Sequence, residues 1–104
     1  MVPTSHIYRG PPELNFPNFL AVQLVGYGTD PEGGDYWLIR NSWGLFWGED
    51  GFMRLKRTAE VECGTNTSTL SGTGCIDDGV TEQHVCGQCG ILFDTNYPIG
   101  VEQL

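Results

Sequence analysis

The residues that could do chemistry fall into two groups. The first is Arg40-Asn41-Ser42-Trp43-Gly44, followed by Trp47. An asparagine between an apolar run and a Trp-Gly turn can orient a partner through its side-chain amide. The plainer alternative is that Asn41 caps a strand end and Trp43 fills the core. Trp37 sits inside an apolar run and reads as core. Trp43 and Trp47 stand beside glycines in a loop, where large aromatics line clefts. The second group is the cysteines at 63, 75, 86 and 89, all late in the chain. An even number in a Gly- and Thr-rich region reads as disulfides formed in an oxidising compartment, and the sequence does not choose among the pairings. Cys86 and Cys89 form a Cys-x-x-Cys. Zinc held by all four is the sharper alternative, but Cys63 and Cys75 do not supply a second Cys-x-x-Cys. Asn66-Thr67-Ser68 is an N-glycosylation sequon in the same stretch. The two histidines, His6 and His84, fall in loop-like sequence.

These groups need elements to position them. Residues 1–19 carry Pro3, Gly10, Pro11, Pro12 and Pro17 and read as extended loop. Residues 21–27 are apolar and Val-rich, which predicts a buried strand. Residues 28–35 are turn chemistry. Residues 36–41 predict a second strand, and the alternating residues 51–57 a third. A hairpin turning near residue 31 or 32 sets position 20 close to 42 and position 21 close to 41. The start of the first strand therefore meets the end of the second, at Asn41. Residues 58–88 show no apolar period and read as an irregular, mobile excursion pinned by its cysteines. Residues 90–99 predict a last strand. The expected class is α+β, in practice mainly antiparallel β.

Composition narrows the partners. The chain has 104 residues, enough for one small domain or part of a larger one. Its 5 Lys and Arg against 13 Asp and Glu give a net charge of −8, which argues against nucleic acid and anionic membrane. No apolar run approaches the roughly 20 residues that span a bilayer. The first residues show no basic stretch leading into an apolar one, so a secretory route needs a targeting segment outside this sequence.

Taken together, Val25-Gly26-Tyr27-Gly28, Tyr36-Trp37-Leu38-Ile39-Arg40-Asn41-Ser42-Trp43-Gly44 and Trp47-Gly48-Glu49-Asp50-Gly51-Phe52 resemble papain and the cathepsins. Cys89-Gly90-Ile91 and Asn96-Tyr97-Pro98-Ile99 resemble the way those enzymes end. So long an ordered string is highly specific. The resemblance implies the barrel-like right domain of the papain fold, spanning residues 1–104, with residues 58–88 a cysteine-bearing insertion.

The resemblance also implies a chemistry. A cysteine thiolate attacks the peptide carbonyl, a histidine activates it and protonates the leaving amine, and an asparagine orients that histidine. Asn41 falls on the orienting asparagine. Trp43 would shield the Asn–His hydrogen bond, and Trp47 would wall the primed side of the cleft. The family's histidine position, just before Ala21, holds Leu20, which cannot transfer a proton. No Cys-Gly-Ser-Cys-Trp-like nucleophile sequence is present, and the upstream cysteine that would pair with Cys89 is missing from residues 10–15. The expectation is a papain-like peptidase portion that is inactive alone. It would meet a peptide or protein substrate only with an N-terminal half, in a lysosomal or extracellular setting, without metal or cofactor. The alternative is a non-catalytic homologue acting as a binding or structural protein.

Overall fold

The computed structural model describes Ile7, residues 21–69 and residues 78–104. Leu20, His6 and Cys75 lie outside the described residues, and so does the expected extended loop apart from Ile7. Among the described residues there are five strands: β1 (Gln23–Asp30), β2 (Gly34–Arg40), β3 (Phe52–Lys56), β4 (Cys63–Asn66) and β5 (Gln83–Cys86). They form two antiparallel sheets, one ordered β1-β2-β3 and the other β4-β5. Neither sheet closes on itself among the described residues, so mainly antiparallel β holds and a closed barrel is not seen.

The β1–β2 hairpin is tighter than its turn chemistry predicts. Residues 28–30 and 34–35 belong to the strands, with Asp30 opposite Gly34. Side chains explain this. The Asp30 carboxylate accepts the N–H groups of Glu32 and Gly33, both at 2.9 Å, which closes the tip. The Thr29 hydroxyl donates to Asp35 across the ladder at 2.6 Å. Further along, the register slips between Leu24 and Gly26, a bulge at Val25 that leaves Leu24 opposite Ile39 and Gln23 opposite Arg40.

The two faces of the three-stranded sheet have different jobs. On one, Trp37 pairs with Leu55 and Ile39 with Met53, and Leu24 adjoins Ile39. Ile39 and Leu55 are each 1% exposed; with Val85 they are the buried apolar residues among those described. Each such burial contributes roughly 1.5–3 kcal/mol. On the other face the Tyr36 ring lies over Gly28, where an added Cβ would sit 2.6 Å from the Tyr36 hydroxyl. Beside it Arg54 bridges Asp30 at 3.0 Å and Glu49 at 2.9 Å, with its guanidinium over the Tyr36 ring. One cation thus ties the hairpin tip to the loop that follows β2.

The cysteine-bearing stretch is more regular than predicted. Within it β4 and β5 pair from Cys63–Cys86 to Asn66–Gln83, and Val85, 2% exposed, joins the core. Disulfides alone do not hold it; a backbone ladder does so as well. Residues 90–99 fail as a strand. Cys89, Gly90 and Asp94 all have positive φ, at 55°, 68° and 53°, and reverse the chain where a strand must stay extended. The Phe93 N–H donates to the Gly90 carbonyl and the Leu92 N–H to the Cys86 carbonyl, so residues 87–94 form successive turns.

Candidate functional site

Asn41 is the first residue after β2, and its pleat position continues the apolar face of Trp37 and Ile39. It is 6% exposed, although polar. Its backbone N–H donates to the Gly51 carbonyl at 3.0 Å. Its side-chain oxygen accepts the Ser42 N–H at 2.7 Å, which fixes the amide plane. A carbonyl oxygen has a second lone pair, so this contact does not exhaust its capacity to accept.

The loop from Ser42 to Gly51 leaves and returns at that residue. The Gly51 N–H donates to the Trp47 carbonyl at 2.7 Å and the Trp47 N–H to the Gly44 carbonyl at 3.3 Å, so the loop folds on itself. Gly51 is buried with φ 90°, and a Cβ there would lie 3.1 Å from the Gly44 carbonyl oxygen. Glu49 and Phe52 exchange backbone hydrogen bonds at 2.9 and 3.0 Å, and Arg54 holds the Glu49 carboxylate from below. Within this frame the Trp43 and Trp47 rings meet edge to face, centroids 5.5 Å apart at 87°. Trp47 is half-buried, whereas Trp43 is 61% exposed. Leu45 and Phe46, at the loop tip, are also exposed.

Asn41, Trp43 and Trp47 share one concavity of about 790 Å³. Its floor is the apolar face of the sheet, with Ile39, Met53 and Leu55, and its far wall is the turn segment around Leu92 and Phe93. The arrangement offers one held amide and two indoles on an apolar wall. It can orient and shield a hydrogen-bonded partner. Among the described residues it contains no histidine, and Cys89 is the cysteine that lines it.

Cys89 makes a poor nucleophile. It is a free thiol at a left-handed position, and desolvation pushes its pKa up, away from the thiolate. Among the described residues the disulfide is Cys63–Cys86, whose partners stand opposite each other in the β4–β5 ladder. Asn66, the asparagine of the sequon, ends β4. It is 1% exposed; its side-chain oxygen accepts the Ser68 N–H at 3.0 Å, and its amide nitrogen is buried without a partner. His84 lies on the exposed face of β5, with Nε2 3.6 Å from the Cys86 sulfur, and is not among the residues lining the concavity.

Sequence reasoning brought Asn41, Trp43 and Trp47 together but missed what holds them. The Asn41–Gly51 bond and the Arg54–Asp30 bridge join residues ten or more positions apart, the Arg54–Glu49 bridge spans five, and only Gly51, next to the acidic Asp50, hinted at a required left-handed turn.

Comparison with known proteins fits this geometry. Cathepsin L-like of Caenorhabditis elegans is 59% identical over 47 residues, 45% of this chain and 14% of that protein. Cathepsin B-like CP3 of Giardia intestinalis is 54% identical over 52 residues, 50% of this chain and 17% of that protein. Cysteine proteinase COT44 of Brassica napus is 38% identical over 79 residues, 76% of this chain and 17% of that protein. The chain thus spans less than a fifth of the length of these relatives. The profile of the papain family cysteine proteases matches residues 4–73, more than half of the chain, and this protein belongs to that family.

Proposed function

We propose that this chain is the asparagine-bearing wall of a papain-type peptidase site, the right-domain portion across residues 1–104, with residues 58–88 inserted in it. The observation that carries the reading is Asn41. Its side-chain amide is buried and its oxygen is held by the Ser42 N–H, its backbone N–H is tied to the Gly51 carbonyl, and it shares a concave wall with the Trp43–Trp47 pair. In a Cys-His-Asn site that amide accepts the histidine ring N–H, fixing its tautomer and orientation. Trp43 keeps water from the bond, and Trp47 borders the primed side of the substrate. The nucleophile and oxyanion donors come from a half that this sequence does not contain. A peptide or protein substrate is bound only when that half is present, and a barrel is completed only then. The disulfide suits a lysosomal or extracellular location.

One observation favours a second reading. Leu20 stands immediately before Ala21, at the family's histidine position. A papain-fold homologue that kept the wall and lost proton transfer would act as a binding or structural protein. Under either reading the chain alone cleaves nothing. The test is an assay of the purified chain on fluorogenic dipeptide and tripeptide substrates, with and without a thiol-directed epoxide. Background rates in both samples agree with the proposal; cleavage that the epoxide abolishes contradicts it.

A further inference from the structure

Away from the concavity, two sulfurs and an imidazole meet on the outer face of the β4–β5 ladder. Cys63 stands opposite Cys86 in the register, and His84 precedes Cys86 by two residues. Residues two apart on a strand share a face, so the pleat puts His84 beside the sulfur pair. The ligand atoms of Cys63, His84 and Cys86 all lie within 4.8 Å of one another. Cys63 and His84 are exposed and Cys86 is half-buried, so both a small reductant and an ion can reach them. None of the three lines the concavity that holds Asn41.

Zinc bound by thiolate at about 2.3 Å and imidazole at about 2.0–2.1 Å sets the sulfur and nitrogen roughly 3.5 Å apart at a tetrahedral angle. His84 Nε2 already stands 3.6 Å from the Cys86 sulfur. The oxidised sulfurs are spent on each other and cannot act as thiolates. We propose that reduction of Cys63–Cys86 converts this cluster into a zinc site with two thiolates and one imidazole. A dithiol supplies the two electrons and two protons. Its own sulfurs join in a disulfide while the Cys63–Cys86 bond breaks into two thiols. Zinc then displaces both thiol protons to solvent, and neutral His84 binds through Nε2. The two thiolate charges offset the charge of the ion, and the fourth position takes water. Two sulfurs and an imidazole suit a borderline-soft ion and not calcium or magnesium, which want oxygen. The net charge of −8 favours any cation.

The test uses the full chain with Cys75→Ser and Cys89→Ser, so that the Cys-x-x-Cys makes no contribution. Cobalt(II) is titrated into the anaerobic, phosphine-reduced protein and into the oxidised protein, with circular dichroism recorded at each step. The reduced protein is expected to take up one cobalt, shown by a thiolate-to-cobalt charge-transfer band that zinc abolishes. The oxidised protein takes up none. His84→Ala should weaken binding about tenfold or more, and His84→Cys should retain it, because it restores a third ligand. A reduced chain that loses strand signal and regains it with zinc also supports the site, since metal binding then drives folding. No charge-transfer band at saturating cobalt, equal binding by the oxidised protein, or His84→Ala binding as tightly as its parent would overturn the proposal.

Discussion

The backbone N–H of Asn41 donates to the carbonyl oxygen of Gly51 at 3.0 Å, so the first residue after β2 is held by the residue that closes the tryptophan loop. Everything between them, Trp43 and Trp47 included, hangs from that bond and from the Arg54 bridge to Glu49. The orientation of the Asn41 amide is therefore a property of the loop as much as of the strand.

Gly51 is the sensitive point of this arrangement. At φ 90° an L side chain is strained, and its Cβ would press on the Gly44 carbonyl at 3.1 Å. Gly51→Ala is expected to cost about 1–2 kcal/mol, from the penalty for a side chain at left-handed φ. Urea unfolding followed by tryptophan fluorescence checks this. A midpoint equal to that of the parent would show that the loop does not depend on this turn.

Core and loop tip should respond in opposite ways. Leu55 is 1% exposed beneath the concavity, whereas Leu45 is 74% exposed at the tip of the loop. Leu55→Ala should cost about 2–5 kcal/mol by lost burial and cavity formation. Leu45→Ala should stay within about 0.5 kcal/mol of the parent. Denaturation midpoints for the two variants decide the matter; similar losses would mean that the loop tip packs against something in solution.

Acid should loosen the hairpin tip. Hydrogen bonds from the Gly33 and Glu32 N–H groups, then the contact with Arg54, hold the Asp30 carboxyl below its ordinary range, against the opposing effect of desolvation. Its folded pKa lies below its unfolded one. The stabilisation is therefore full above the ordinary Asp value of about 4 and is lost as pH falls through the lower folded value. Asp30→Asn should flatten the stability–pH curve in that range. An unchanged acid limb would assign the loss to other carboxylates.

The sequence carried the three-stranded sheet well because Trp37-Leu38-Ile39 is a short apolar run, Leu55 alternates with Arg54 and Lys56, and Gly33-Gly34 marks the reversal. It misjudged the hairpin tip, since Thr29 and Asp35 have turn chemistry yet bond each other across the ladder, while Asp30 caps the shorter turn by accepting the Glu32 and Gly33 N–H groups. The bulge at Val25 left no trace in composition. β4 and β5 stayed hidden because Cys-Gly-Thr-Asn and Gln-His-Val-Cys hold the single aliphatic residue Val85, and their pairing depends on contacts distant in sequence. The apolar run after Cys89 misled in the other direction: left-handed backbone at Cys89, Gly90 and Asp94 overrides its strand-like composition. In the site, spacing located Asn41 and the two indoles but not the backbone bonds that fix them. The relation of Leu20 to Asn41 lies outside the described residues.

The central claim is that Asn41 and its loop keep a peptidase wall that lacks a proton-transfer residue at position 20. The most direct measurement is kcat/KM of the full chain combined with a cysteine-bearing N-terminal half from a related cathepsin. The natural chain, Leu20→His, and Leu20→His with Asn41→Ala are compared. The expected result is background activity with Leu20, and a gain of about 100-fold or more with Leu20→His, the usual scale of a placed general acid–base. Most of that gain should disappear with Asn41→Ala. Equal activity of the natural and Leu20→His chains, or a gain indifferent to Asn41, would contradict the account.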